Sequence, residues 1–544
     1  MPEFPSWTEF CSNEREHRGL DPLGLESVGA SIVQRQLLPG ITNATRHVRY
    51  YSFFCWVFWK FWKDKTEKAR MSEQKRWMVR LENVLRAATL ERDEKIQALI
   101  GVTKAIRING LREKARVSID GGTAATAFVP ANYSSSFRAL GCGMLDNKRG
   151  AKLTPFGEQL AVAFDEGFGR IPASRIALKS ICSGTAEVSV AAIRSVAEAI
   201  SLRPVSPNDP EHRLLLELLV RMETVTDRGN AAYDIERSRT LALFLEIVDQ
   251  AQGTLVSAWS VDQIFAKGQL PNNCVFSVPP ELERSYELWR RFQERQYVKL
   301  SVYALWHEVV QLLNYAVFKT EPTKNVLNRF SAALTKSSLA ERWLGVGGSR
   351  LTVGAAFNSL SRQLSFKPRD FGKKAIKLAD VLRDLKTSAE DRVGASVVLL
   401  LLCGCYWNKN ASSLPEGQIH RQGGVDRISL ESIHNAQRQL ANATVEEYLL
   451  WVLENYVLKQ ATRIAIQKLP DYRFFIVRDE DGYRLTKHQD PRSYLSYDSS
   501  RIGSAFELMA DLKLINMNSS ITLTATGRKV LHRLKAFHRR LNGS

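Results

Sequence analysis

The chain of 544 residues has only seven cysteines, at positions 11, 55, 142, 182, 274, 403 and 405, and no CxxC pair among them. That excludes a disulfide framework and a cysteine-ligated zinc module. Cys403 and Cys405 lie inside an apolar run and read as small buried hydrophobes, which points to a reducing, cytoplasmic setting. Long apolar runs are also missing. Ten uncharged residues separate Arg49 from Lys60, and sixteen separate Arg392 from Lys409. A bilayer span needs roughly 20, so no membrane partner is expected. The mixed, charged opening from Met1 to Asp21 does not resemble a secretory signal.

Catalytic motifs are equally scarce. Gly345 to Arg350 (GVGGSR) lacks the lysine of a phosphate-binding loop and reads as a turn. His307-Glu308-Val309-Val310-Gln311 has glutamine where a zinc protease needs its second histidine, so His307 reads as structural. Asp-x-Lys pairs occur at Asp93/Lys95, Asp384/Lys386 and Asp511/Lys513. A magnesium nuclease would need such a pair on a strand beside a further acid, and all three fall in helical patterns. No cofactor and no metal site are expected, and a catalytic role is less expected than a binding one.

What the chain does have is positive charge: 76 Lys and Arg against 57 Asp and Glu, a formal net charge of +19. A surplus of this size fits a polyanionic partner, nucleic acid before any other. Hydrophobic content of 44% is that of a folded globular chain, and the length calls for several cores.

Leu37 to Trp62 concentrates the aromatic residues, nine of them between Tyr50 and Trp62. Pro39-Gly40 marks a turn, Thr42 or Asn43 offers a helix cap, and Arg46, Arg49 and Tyr50 occupy the first turns that follow. The rings from Phe53 onward read as a buried helix. Arg46, Arg49 and Tyr50 are the part expected to face a ligand, because arginines beside rings stack bases and clamp phosphates. From Lys60 to Arg116 sixteen basic residues face eight acidic ones. Trp77, Leu81, Val84, Leu85 and Ala88 recur at helical spacing, which predicts one buried face and one wet basic face.

Two stretches share a shape. Tyr133 to Phe164 reads as a helix with Phe137 and Leu140, a hairpin with the charged tip Asp146 to Gly150, and a strand ending in Leu153-Thr154-Pro155-Phe156-Gly157. Phe506 to Leu534 repeats it, with Leu523-Thr524-Ala525-Thr526-Gly527. Leu145 precedes Leu153 by eight residues, as Ile515 precedes Leu523. Leucine anchors the strand, threonine caps the next helix, and glycine lets that helix pack close. This is the form of the second half of a winged helix-turn-helix. Tyr133, Ser134, Ser135, Ser136 and Arg138 would open a recognition helix, with Lys148, Arg149 and Lys152 on the wing. Such units also serve as protein-docking modules, and both readings stand. At the far end, Arg528, Lys529, Arg533, Lys535, Arg539 and Arg540 come with no acidic residue in the last thirty positions. Lys529, Arg533, Ala536 and Arg540 share a helical face suited to a phosphate backbone.

The expected fold class is therefore mainly α and multidomain, with winged-helix-like units near 118–170 and 470–544. The expected divisions are an aromatic and basic helical domain at 1–117, the first winged unit at 118–170 and a helical middle at 171–410. A linker with a short helix follows at 411–444, then a C-terminal winged domain at 445–544.

The first 160 residues, through Trp7-Thr8-Glu9-Phe10, Gly24-Leu25-Glu26-Ser27-Val28 and Pro39-Gly40-Ile41-Thr42 with Arg46, Arg49 and Tyr50, resemble a family of prokaryotic proteins found in antiviral-defence gene clusters. Members sit beside helicases, methyltransferases or nucleases, and no catalytic residues are assigned to the family. The resemblance implies a non-catalytic subunit that acts against phage or plasmid DNA alongside a helicase or nuclease. A protein scaffold that docks such a partner is the alternative, and a divergent magnesium nuclease the second.

Overall fold

The computed structural model describes residues 21–64, 71–93, 96, 99–100, 116–119, 127–129, 132–146, 150–182, 187–221, 231–315, 317, 319–364, 367–410, 428–467, 476–486 and 495–543. It is mainly α-helical, with only short strands. Among the described residues no helix is long and apolar enough to cross a membrane.

Two compact units divide the chain, and neither is continuous. Unit I takes the described residues within Met1–Ile32, Asp262–Val278 and Tyr286–Ser499; unit II takes those within Val33–Val261, Pro279–Ser285 and Ser500–Ser544. The five consecutive segments expected from sequence are not these units. Composition shifts mark breaks along the chain, but they carry no information about a C-terminal segment that folds with residues hundreds of positions earlier.

Unit I is built around the helix Ala389–Asn410, whose Val397, Val398 and Leu399 to Leu402 are all buried. An apolar surface on every side requires neighbours on every side, and the helices Thr323–Lys336, Ser338–Leu344, Val353–Gln363, Pro368–Arg383 and Leu430–Gln439 supply them. The strands Ile476–Arg478 and Gly482–Leu485 pair antiparallel, with Glu321–Pro322 added antiparallel to the second. This hairpin therefore belongs to unit I, and only the helices and hairpin after Ser500 form the second winged-helix-like unit.

Unit II centres on the aromatic helix Arg49–Asp64. Phe53, Phe54, Trp56, Phe58 and Phe61 are buried. Trp56 lies 5.5 Å from Phe164 and 5.2 Å from Phe168, ring centre to ring centre, on the helix Pro155–Gly169. Its indole N–H donates to Asp165 at 2.8 Å, which gives the buried ring the polar partner it needs. In the helix Met71–Arg92 Lys75 and Arg76 are exposed, as expected of a wet basic face, but every residue from Leu81 to Leu90 is buried. Glu82 and Arg86 enter as an ion pair at 2.5 Å, and the Ala127 backbone N–H donates to Glu82 at 2.6 Å. Mutual neutralisation and backbone bonds let these charges be buried. The basic residues from Lys95 to Lys114 lie outside the described residues.

The two winged-helix-like units match closely. The first is the helix Tyr133–Ala139, the strands Gly143–Asp146 and Gly150–Leu153, and the helix Pro155–Gly169. The second is the helix Ile502–Asp511, the strands Ile515–Met517 and Ile521–Leu523, and the helix Ala525–Gly543. In the first, the Thr154 hydroxyl donates to the Gly141 carbonyl at 2.6 Å and accepts the Gly157 N–H at 3.1 Å. In the second, the Thr524 hydroxyl donates to Lys513 at 2.6 Å and accepts the Gly527 N–H at 2.9 Å. Gly141 and Lys513 both take the left-handed conformation, at φ 76° and 56°. A Cβ at Gly157 would strike the Cys142 carbonyl, and one at Gly527 the Leu514 carbonyl. The shared LTxxG is thus a clamp on the turn before the hairpin. The equal spacing of eight does not carry over: Leu153 pairs with Gly143, not Leu145, whereas Leu523 pairs with Ile515. The first hairpin is longer.

Candidate nucleic-acid interface

The segment from Pro39 to Tyr50 is mostly buried, with Asn43 and Arg46 exposed. Its helix begins at Arg49, later than a cap at Thr42 or Asn43 implies, because Thr42 and Thr45 close a local turn of their own. The Thr42 N–H donates to the Thr45 hydroxyl, and that hydroxyl donates back to the Thr42 carbonyl, both at 2.9 Å. Arg46 therefore precedes the helix.

Both winged-helix-like units grip this segment. From the first, Tyr133 uses its hydroxyl to accept the His47 N–H at 3.0 Å and to donate to the His47 carbonyl at 3.1 Å. The Ser136 hydroxyl donates to the Gly40 carbonyl. From the second, Asp511 accepts the Val48 N–H at 3.1 Å, Ser504 donates to the Asn43 carbonyl at 3.2 Å, and Arg501 donates to the Ile41 carbonyl at 2.7 Å. Arg501 is 9% exposed, and burial pulls its guanidinium down to about 10.

These bonds decide the position of several expected site residues. Arg49 is 6% exposed. It holds Glu211 at 3.0 Å and donates to the carbonyls of Ser201 and Ala199, so it is a core ion pair and not a phosphate clamp. Tyr50 is fully buried, and burial pushes its hydroxyl well above the usual tyrosine range. Arg46 is partly exposed and pairs with Glu507 at 3.4 Å. Burial raises the Glu507 carboxyl while Arg46 and His47 pull it back.

The expected recognition helix fares similarly. Tyr133, Ser134 and Ser136 are buried, and Ser135 is half-buried. Arg138 is exposed at the last turn, and Lys152 is exposed on the second strand of the first hairpin. Lys148 and Arg149 lie outside the described residues. The helix Ile502–Asp511 is buried at six of its ten positions. A helix that reads bases must enter a groove with one face free, and neither helix has such a face at its start.

The C-terminal helix Ala525–Gly543 is different. Its cations divide into two sets. Lys535 holds Glu246 at 2.9 Å, Arg539 holds Glu281 at 3.0 Å, and Arg528 lies 3.5 Å from Asp249. These attach the helix to the rest of unit II, as do Val530, Leu531, Leu534 and Phe537, which are buried. Lys529, Arg533 and Arg540, with Ala536 between them, are exposed and have no carboxylate partner among the described residues. At 3.6 residues per turn they fall within about 40° of one another around the helix and extend roughly 16 Å along it.

The other polar clusters are closed. In unit I, on the part of the helix Glu283–Asn314 from Tyr286 onward, Arg290 holds Glu287 at 2.6 Å and Glu294 at 2.7 Å, and Arg291 holds Glu294 at 2.6 Å. Lys299 binds Asp498 at 2.5 Å and Glu26 at 3.4 Å, and Arg295 binds Asp498 at 3.0 Å. These charges pair with one another, while Nε and Nη2 of Arg291 are buried without a hydrogen-bond partner. His307 pairs with Glu308 at 3.0 Å, and Arg392 pairs with the same carboxylate. Burial opposes the Glu308 charge, but His307 and Arg392 hold its carboxyl below the usual range. The aspartates of the three Asp-x-Lys pairs sit at or just past helix ends, not on strands, and Asp511 is occupied by Val48 and His47. Among the described residues no group of His, Cys, Asp and Glu is placed to hold a metal.

A second basic row lies in unit I, where the sequence reading placed no site. The helix Pro368–Arg383 exposes Arg369, Lys373 and Lys377, four residues apart in turn. The signal was present in KPRDFGKKAIKLADVLR, but it lay in a stretch read only as helical middle. Comparison of the chain with known protein families, with characterised proteins and with solved structures finds no match.

Proposed function

We propose that this chain is a non-catalytic nucleic-acid-binding subunit that engages DNA electrostatically. The observation that carries the reading is the unpartnered row Lys529, Arg533 and Arg540 on the C-terminal helix. Exposed cations that are not consumed by carboxylates retain their full interaction with phosphates, and binding them releases condensed counterions. The neighbouring paired cations fix the helix, so the row is presented on a rigid element. The formal charge of +19 supports the same reading, and the defence setting rests on the N-terminal resemblance.

A mobility-shift or anisotropy titration with DNA over a range of salt tests this. Affinity should fall steeply with salt, and the Lys529→Ala/Arg533→Ala/Arg540→Ala variant should bind much more weakly while folding normally. Absent or salt-independent binding would sink the proposal.

A second reading is a scaffold for a helicase or nuclease, since neither helix that precedes a hairpin has a free face with which to read bases. Co-purification of a partner that survives nuclease treatment, with no DNA affinity of the purified chain, would support it instead.

A further inference from the structure

We infer that unit I carries a second, independent phosphate-backbone surface, the row Arg369, Lys373 and Lys377 on the helix Pro368–Arg383, and that its ligand is duplex DNA gripped without base reading. This rests on the reading of the chain as a DNA binder.

The helix is amphipathic with a clean division. Phe371, Ala375, Leu378 and Leu382 are buried on one side. Gly372 lies so close to the Ala266 carbonyl that a Cβ there would collide with it. The helix is therefore seated firmly, and its apolar face is already used. That removes the usual role of a basic amphipathic helix, insertion into a lipid surface, which needs the apolar side free. On the solvent side, Arg369, Lys373 and Lys377 are exposed and have no carboxylate partner among the described residues. The acid nearest in sequence to Arg369, Asp370, is taken by Lys374 at 3.2 Å. The row ends at Asp380, which lies 3.9 Å from Arg383.

Successive members stand about 6 Å apart along the axis, and each strand of a duplex presents a phosphate every ~3.4 Å of its own axis. A straight row of this kind can track a backbone. The one aromatic ring on the helix itself, Phe371, is buried. Proteins that hold single strands place aromatic rings beside their cations so that bases stack. Cations alone, on a helix whose own ring is buried, suit a paired backbone.

The test uses the full chain, a labelled duplex, and the same sequence as a single strand, titrated across salt. Three proteins are compared: wild type, Arg369→Ala/Lys373→Ala/Lys377→Ala, and Lys529→Ala/Arg533→Ala/Arg540→Ala. Removing one cation that neutralises a phosphate should lower the slope of log affinity against log salt by about 1. The unit I triple should therefore lower the duplex slope by up to about 3 and weaken duplex binding at least about tenfold at moderate salt, with an unchanged melting temperature. A unit I triple that binds like wild type, while the C-terminal triple loses affinity, overturns this inference and leaves the proposed function standing. No duplex binding by wild type overturns both. Tighter binding to the single strand, or competition by polyglutamate as effective as by unlabelled duplex at equal charge, also overturns the inference.

Discussion

The Asp511 carboxylate accepts the Val48 backbone N–H at 3.1 Å and lies 3.4 Å from the His47 ring. It ties the last residue of the helix Ile502–Asp511 to the turn that launches the aromatic helix. Removing it leaves a part-buried N–H without its acceptor, a loss of about 1–3 kcal/mol. Asp511→Ala should therefore lower thermal stability by several degrees. It should leave DNA affinity of the folded protein intact, which differential scanning calorimetry and anisotropy measure separately. A nuclease ligand at this position would show the reverse pattern.

The two LTxxG clamps make a paired prediction. Gly157→Ala and Gly527→Ala each drive a methyl group into a backbone carbonyl, and overpacking of this kind costs about 1–3 kcal/mol. Gly503, on the helix Ile502–Asp511, has open space where its Cβ would be. Gly503→Ala should be neutral or stabilising by up to about 1 kcal/mol, because alanine favours the helix. Chemical denaturation of all three variants checks the contrast.

How much of this was legible in the sequence follows from what each signal depends on. The LTxxG clamp depends on local spacing, so both copies were readable, although hairpin length was not. The aromatic helix was readable because rings on every side leave no solvent face. Arg49 was misread for an identifiable reason: its partner Glu211 is distant in the chain, and an arginine beside aromatic rings looks the same whether it awaits a phosphate or already holds a carboxylate. The same blindness hid Asp511, Arg501 and Glu507. The row at Lys529, Arg533 and Arg540 was visible because the last thirty residues lack acids. The row at Arg369, Lys373 and Lys377 was hidden because Asp370 lies within it and Asp380 just after it, and only side-chain geometry shows that these acids face Lys374 and Arg383 instead.

Arg49 itself yields a sharper test. Its guanidinium is 8% exposed and Glu211 3%. Breaking a buried pair by removing one partner costs about 3–5 kcal/mol, since the other charge is left uncompensated. Arg49→Ala should be strongly destabilising, and Arg49→Ala/Glu211→Ala less so than the two single losses added together. A double-mutant cycle by urea denaturation measures the coupling. An Arg49→Ala protein that folds normally but loses DNA affinity would return this residue to the binding surface.

His538 supplies a pH dependence whose sign is fixed by its surroundings. The ring is fully buried in the C-terminal helix, and its Nε2 lies 2.9 Å from the Ser238 hydroxyl. Burial, with the nearby Arg239 charge, pulls its pKa down to about 4. An unfolded histidine titrates near 6.5, so between those values the unfolded chain binds the proton and the folded one does not. Its contribution to stability is complete above about 6.5 and declines as pH falls toward about 4, by at most roughly 3 kcal/mol. His434 is lowered as well, by burial first and then by the Arg438 charge, and adds in the same direction. A His538→Gln variant keeps a polar group near Ser238 without a titrating ring. Its melting temperature should fall less than that of wild type between pH 7 and pH 5, and equal slopes for the two proteins would show that His538 does not control the acid response.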